Sequence, residues 1–168
     1  MKLQKRNTSE RFSILASAII YSYGVPKGII EALNWYEKSA ALGHLESMYN
    51  IAFSYRKGAG IKRDYELAIT WLIKAAELGD PSSQRDLGWH YHEGIGASVD
   101  YDKAIRWYRV AAKQVDKKAQ FNLGLSYIDG DGVATSTPWA RYWLNRAARQ
   151  GHLRAKAQLL SLRRTVVQ

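Results

Sequence analysis

Four histidines, three Gly-x-Gly elements and one Asp-Gly-Asp-Gly stretch are the residues of this chain whose types and spacing could carry chemistry. His90 and His92 stand two apart. On a helix they point in different directions and cannot share a metal as ligands four apart would. His44 and His152 lie more than a hundred residues apart at equivalent places in a repeat, which suits capping or structural roles. The pairs Gly58/Gly60, Gly94/Gly96 and Gly130/Gly132 invite a phosphate-loop reading. None continues to a third glycine or to Gly-Lys-Ser/Thr, and none follows a strand pattern, so they read as corners between helices. Asp129-Gly130-Asp131-Gly132 has the opening of a calcium loop but lacks a further acidic ligand and the closing glutamate. With no cysteine there is no thiol nucleophile, cysteine zinc site or disulfide. No Ser-His-carboxylate motif is present either. The expectation is a protein with no catalytic residues, no metal and no cofactor.

The elements that would position these residues show themselves by repetition. Trp35, Trp71, Trp107 and Trp143 recur every 36 residues. Tyr55, Tyr91 and Tyr127 keep the same step, as do the three glycine pairs. The alanine pairs Ala40-Ala41, Ala75-Ala76, Ala111-Ala112 and Ala147-Ala148 nearly keep it. Gly43, Gly79 and Gly151 hold a further position, where Val115 replaces the expected glycine. Each unit reads as two helices. The first, for example Ser83 to Glu93, begins after Asp80-Pro81 and ends at Gly94. The second starts after the N-cap residues Asp64, Asp100 or Ser136 and runs to the alanine pair, with apolar residues three and four apart. Ala52, Gly88 and Gly124 share one register, and Ala68, Ala104 and Ala140 another. Small residues there let paired helices approach closely, while Trp71, Trp107 and Trp143 are expected to be fully buried between neighbouring pairs.

Ala119-Gln-Phe-Asn-Leu-Gly-Leu-Ser-Tyr127 with Gly130-Asp-Gly-Val133 resembles the first half of a Sel1-like repeat, and Lys103-Ala-Ile-Arg-Trp-Tyr-Arg-Val-Ala-Ala112 resembles the second. The resemblance is clear over about residues 44 to 151. It implies a relative of the tetratricopeptide repeats: an all-α, right-handed α/α solenoid of four helix pairs closed by a C-terminal capping helix. The expected repeats are 8–43, 44–79, 80–115 and 116–151, with the capping helix at 152–164, all in one domain. The first unit is degenerate, with Ile19 at the tyrosine position, Gly28 at the cap position and Arg11 where a small residue is expected. A terminal repeat whose outer face meets water has this character. Members of the family usually serve as adaptors for protein complexes. Cysteine-rich members have been linked to β-lactam binding, and a chain without cysteine departs from them.

In such stacks the first helices line a concave face. By that analogy the candidate partner-binding residues are Tyr49, Phe53 and Arg56 in one unit, Arg85, Trp89 and His92 in the next, and Phe121, Leu125 and Ile128 in the third. Phe53, Trp89 and Leu125 share a register and would form an apolar stripe, with Arg56, Arg85 and His92 beside it as donors. Tyr49 and Phe121 equally suit packing between helices. Trp89 is a tryptophan beyond the repeat's own, and a central Trp is the residue type that dominates binding energy. Asn50 and Asn122 could hydrogen-bond a peptide backbone. Trp139, also off the pattern, suits packing on the second helix.

The net charge of +10 is uneven. After Asp131 no acidic residue occurs, while Arg141, Arg146, Arg149, Arg154, Lys156, Arg163 and Arg164 follow; Lys2, Lys5, Arg6 and Arg11 make the other end basic. Such ends attract acidic partners, although a solvated surface accounts for them equally well. The expected function is a non-catalytic adaptor holding a partner peptide or helix with acidic and apolar contact residues. An immunity or inhibitor protein that neutralises a secreted toxin or enzyme is the alternative. An electrostatic nucleic-acid binder is the alternative from another class, disfavoured because the aromatics follow the structural register and the charges cluster at the ends. No apolar run reaches the ~20 residues of a membrane span. Phe12 to Val25 after the basic start, with Ala16-Ser17-Ala18, resembles a secretory signal. Its three serines and its place in the repeat favour an uncleaved, cytoplasmic start, with a periplasmic or secreted location following if the first 18 residues are removed.

Overall fold

The computed structural model describes residues 7–23, 26–58 and 61–164, with side chains omitted at 20–23, 26–27 and 164. Gly24, Val25 and Gly60, and the basic residues Lys2, Lys5 and Arg6, lie outside the described residues. Among the described residues all regular structure is helical: α1 (Thr8–Tyr23), α2 (Pro26–Ala41), α3 (Leu45–Lys57), α4 (Tyr65–Glu77), α5 (Pro81–Glu93), α6 (Tyr101–Lys113), α7 (Lys117–Asp129), α8 (Thr137–Arg149) and α9 (Leu153–Arg164). The chain forms two compact units, one up to Asp80 and one from Pro81 onward.

Local chemistry sets the helix ends where the repeat predicts them. The carboxylates of Asp64 and Asp100 accept from the backbone N–H groups of Leu67 and Lys103 at 2.8 and 2.9 Å, and the Ser136 hydroxyl accepts from Trp139 at 3.4 Å. The chain before each of these caps is pinned in one way: the N–H of Asp64, Asp100 and Ser136 donates to the carbonyl of Tyr55, Tyr91 and Tyr127. The residue at the tyrosine register thus holds the returning loop through its backbone carbonyl, a bond independent of its side chain. Gly58 and Gly130 close α3 and α7 with φ of 67° and 87°, a left-handed conformation that carries no Cβ penalty in glycine.

In the first unit α1 pairs with α2, α3 with α4, and α2 also packs on α3. Its core holds Ala16, Ala32, Leu33, Tyr36, Ala40, Met48, Ile51 and Ala75, with Trp35 and Trp71 partly buried against it. Arg11 is exposed at the register where Ser47, Ser83, Ala119 and Ala155 are buried. Gly28 is not a cap: α2 begins two residues earlier, at Pro26, and Gly28 is buried inside it. The small pair in this repeat is Ser39-Ala40 rather than Ala40-Ala41, because Ala41 is exposed. Ser39 is fully buried and its hydroxyl donates to the Ser9 carbonyl at 2.6 Å while accepting from Ser47 Oγ at 2.8 Å. A hydroxyl can thus occupy an alanine site without an unmet hydrogen bond. Ala16, in the stretch that resembles a cleavage site, is buried in this core.

In the second unit α5 pairs with α6, α7 with α8, α6 packs on α7, and α9 packs on α8. The close approach inferred from the small residues is visible. A Cβ at Gly88 would lie 2.7 Å from the Tyr108 ring, and one at Gly124 would lie 2.7 Å from Leu144 Cγ. Ala104 and Ala140 are correspondingly buried. The tryptophans differ from expectation. Trp35, Trp71, Trp107 and Trp143 are half-buried, and the residue after each (Tyr36, Leu72, Tyr108, Leu144) is the buried one. A step of one residue turns a helical side chain by about 100°, enough to move the core position from the Trp to its neighbour. The Trp rings instead cover the edges of the core, with Lys38 and Lys74 over Trp35 and Trp71 at 4.2 and 4.3 Å.

Candidate partner-binding site

The second unit contains an open groove of about 270 Å³ between α5 and α7. Trp89, His92 and Glu93 of α5 and Phe121, Asn122, Leu125, Ser126 and Asp129 of α7 line it, with Tyr108 of α6 beneath and Arg154 of α9 reaching in. The helical period explains the lining, since 89, 92 and 93 share one face of α5 and 121, 125 and 129 one face of α7. Trp89 packs against the core beneath it and meets the His90 ring edge-on at 5.0 Å. Phe121 is mostly buried, stacked on His152 at 4.4 Å, with the Arg154 guanidinium over it at 5.2 Å.

The groove is electrically two-sided. His92 hydrogen-bonds with Glu93 at 3.0 Å and with Asp131 at 3.1 Å, and Asp129 lines the same region. Arg154 is the cation of the lining. Burial pushes the Tyr108 hydroxyl well above the usual phenol range, and it shares a hydrogen bond with Asn122. The groove floor is therefore neutral, and Asn122 is engaged with it. His152 accepts from the Ala155 N–H at 3.2 Å, capping α9; burial foremost, then Lys117, Arg154 and Lys118, hold its imidazole below the usual histidine range.

Of the nine residues expected from the sequence, Trp89, His92, Phe121 and Leu125 meet around this groove. Arg85 is not offered to a partner: its guanidinium binds Asp86 Oδ1 at 2.7 and 2.8 Å and Asp116 Oδ2 at 3.0 Å. Asp116 uses its other oxygen to cap α7 at Ala119, 2.7 Å away. Arg85 thus ties α5 to the start of α7. Ile128 packs against the core formed by α7, α8 and α9. In the first unit Tyr49 is half-buried, and Phe53 is exposed with Arg56 and Lys57 at 5.3 and 5.8 Å from its ring. His44 caps α3 through Ser47 N–H at 3.3 Å, and His90 is buried and hydrogen-bonded with the Ile95 carbonyl at 2.7 Å. Glu93, Asp129 and Arg154 escaped the sequence reading. Arg154 could have been found by continuing the register onto α9, where it matches Lys118. Among the described residues no group of three or more His, Asp or Glu side chains could hold a metal ion.

These helix pairs and their period match the Sel1 repeat pattern over residues 14–44, 45–80, 81–116 and 117–152. The chain belongs to the Sel1 repeat family. Sel1 repeats are commonly protein-interaction scaffolds and typically non-catalytic. Among solved structures the chain is similar to c5321, a protective antigen present in uropathogenic Escherichia coli strains, with 32% identity and a TM-score of 0.85 over 90% of this chain and 32% of that one. It is similar to a Sel1 repeat protein from Oxalobacter formigenes, with 32% identity and a TM-score of 0.82 over 95% of this chain and 65% of that one. It also resembles Helicobacter pylori cysteine rich protein B, at 26% identity and a TM-score of 0.64 over 79% and 96% of the two chains. The chain thus spans less than two thirds of the first two of these proteins. No curated protein matches it. No described helix is long and apolar enough to cross a membrane.

Proposed function

We propose that this Sel1 repeat chain is a non-catalytic adaptor whose α5–α7 groove seats an apolar partner segment carrying an acidic side chain. The groove itself is the observation that supports this: Trp89 and Leu125 form an apolar wall, and Arg154 supplies a cation beside it. Apolar partner side chains cover Trp89 and Leu125, and a carboxylate meets Arg154. Glu93 and Asp129 at the other side repel a partner whose acidic group enters in reverse, which fixes direction.

The test is a pull-down with the tagged, nuclease-treated full chain from its cells of origin at low and moderate salt, comparing wild type with Trp89→Ala and Arg154→Gln. One protein should be retained at moderate salt by wild type and weakened about 30-fold by Trp89→Ala, the size of a central aromatic contact. Retention that ignores both substitutions, or that nuclease abolishes, overturns the groove reading.

A further inference from the structure

Away from the groove, the second unit carries an aromatic ladder closed by arginines. Trp139 and Tyr142 on α8 are 52% and 45% exposed. Neither belongs to the repeat: the same registers hold Leu67 and Lys103, and Thr70 and Arg106. The Trp139 ring stacks on Tyr127 of α7 at 6.1 Å and meets Tyr142 edge-on at 5.5 Å. Tyr142 in turn meets Trp143 edge-on at 5.0 Å. Arg146 lies over Tyr142 and Trp143 at 5.7 and 5.9 Å and donates to the Tyr142 hydroxyl at 3.1 Å. At the opposite end Arg109 of α6 donates to the Tyr127 hydroxyl at 3.3 Å. Arg149, one turn past Arg146, is exposed on the same helical face.

Folding does not require this ladder, since lysine and arginine fill its two added positions on α6. An exposed Trp–Tyr pair held by guanidiniums has the composition of an interface centre, where Trp, Tyr and Arg dominate. Its charge is one-sided. Helix α8 contains no carboxylate, and Asp131, which follows α7, is engaged with His92. Base stacking needs free ring faces. Here Tyr127 covers one face of Trp139, and Arg146 lies over Tyr142 and Trp143, leaving edges and one Trp face for side chains. We infer that the Trp139–Tyr142–Arg146 face of α8 is a second interaction surface, which takes an acidic, apolar segment of a partner protein. Its apolar side chains pack on Trp139 and Tyr142, and its carboxylates pair with Arg109, Arg146 and Arg149. An adaptor with this face and the groove holds two partners at once.

The test uses random displayed peptides, first depleted on Trp139→Lys protein and then selected on wild type. Depletion removes groove binders, so the outcome does not depend on the groove. The variant carries the residue that α6 uses at this register, and its melting curve checks that it folds. Peptides rich in Asp or Glu together with Leu, Phe or Trp should be selected. A synthetic copy should bind Trp139→Lys at least 10-fold more weakly than wild type. It should bind Arg146→Gln several-fold more weakly and with a shallower salt dependence. Failure to enrich such peptides, or equal binding to Trp139→Lys, overturns the inference. So does a Trp139-dependent affinity for oligo-dT or for anionic lipid vesicles that exceeds the peptide's.

Discussion

Val115 has a φ of 69° at the register where Gly43, Gly79 and Gly151 sit at 82°, 100° and 82°. A left-handed conformation costs a residue with a Cβ about 1–2 kcal/mol, and a β-branched one crowds it further. Val115 is 53% exposed, so little packing offsets that cost. Val115→Gly should therefore stabilise the chain by about 1 kcal/mol after the greater freedom of unfolded glycine is subtracted. The urea midpoint should rise at unchanged slope. Gly124 predicts the opposite sign. Its missing Cβ leaves room for Leu144, which is fully buried, so Gly124→Ala should cost about 1–3 kcal/mol despite alanine's better helix propensity. An equal or higher midpoint would show that α7 and α8 can separate without loss. His152 adds a pH dependence. Its folded pKa lies below its unfolded value, so as pH falls through about 6.5 and below, the unfolded chain takes up the proton first and stability drops. Protonation also removes the Nδ1 lone pair that caps α9. His152→Asn keeps a capping oxygen and does not titrate. Its melting temperature should fall less than that of wild type between pH 7.5 and pH 5.5.

At the scale of the helix, the ends legible in the sequence are those made by short-range chemistry. Asp64, Asp100 and Ser136 cap helices three residues from the N–H they satisfy, so the pattern and the bond coincide. The core position of the second helix was less legible, because tryptophan dominates the repeat to the eye while the burial falls on its neighbour. The side-chain links inside each helix pair, from the first helix to the end of the second, were not legible. Gln114 donates to Gln84 at 2.8 Å, and Gln150 to Gln120 at the same distance, each across 30 residues. These glutamines carry no motif; the second repeat holds Met48 and Leu78 at the same two registers. That substitution supplies a prediction. Gln120 is fully buried and donates to the Ala112 carbonyl at 3.1 Å, so Gln150→Leu alone strands its amide oxygen and should cost about 1–3 kcal/mol. Adding Gln120→Met, which recreates the Met–Leu combination, should recover most of that loss. Two losses that simply add in the double-mutant cycle would show that the amides are not coupled.

At the scale of the whole chain, the candidate site was half legible because only half of it follows the register. Trp89 and Leu125 were found by continuing one position along the repeat, but Glu93, Asp129 and Arg154 enter from helix ends and from α9. Arg85 looked available because the second of its partners, Asp116, lies 31 residues away, beyond any local pattern. Charge is the property that composition states fully, with 25 Lys and Arg against 15 Asp and Glu. Ion pairs engage some of the carboxylates locally, as at Arg85 with Asp86 and Asp116 and at Lys103 with Asp100, and leave the net excess unchanged. The stretch beyond Asp131 has no carboxylate with which to form others. Net repulsion within the folded chain should therefore fall as salt shortens the screening length to about 8–10 Å. Raising sodium chloride from low to physiological strength should raise the melting temperature by about 2–4 °C, the equivalent of roughly 1 kcal/mol in a chain of this size. The same salt should weaken any acidic partner several-fold, because attraction to that partner is screened along with the repulsion. Opposite signs for stability and affinity in one titration would assign both to the basic surface. A melting temperature that falls with salt would instead mean that the few ion pairs outweigh the excess of ten positive charges.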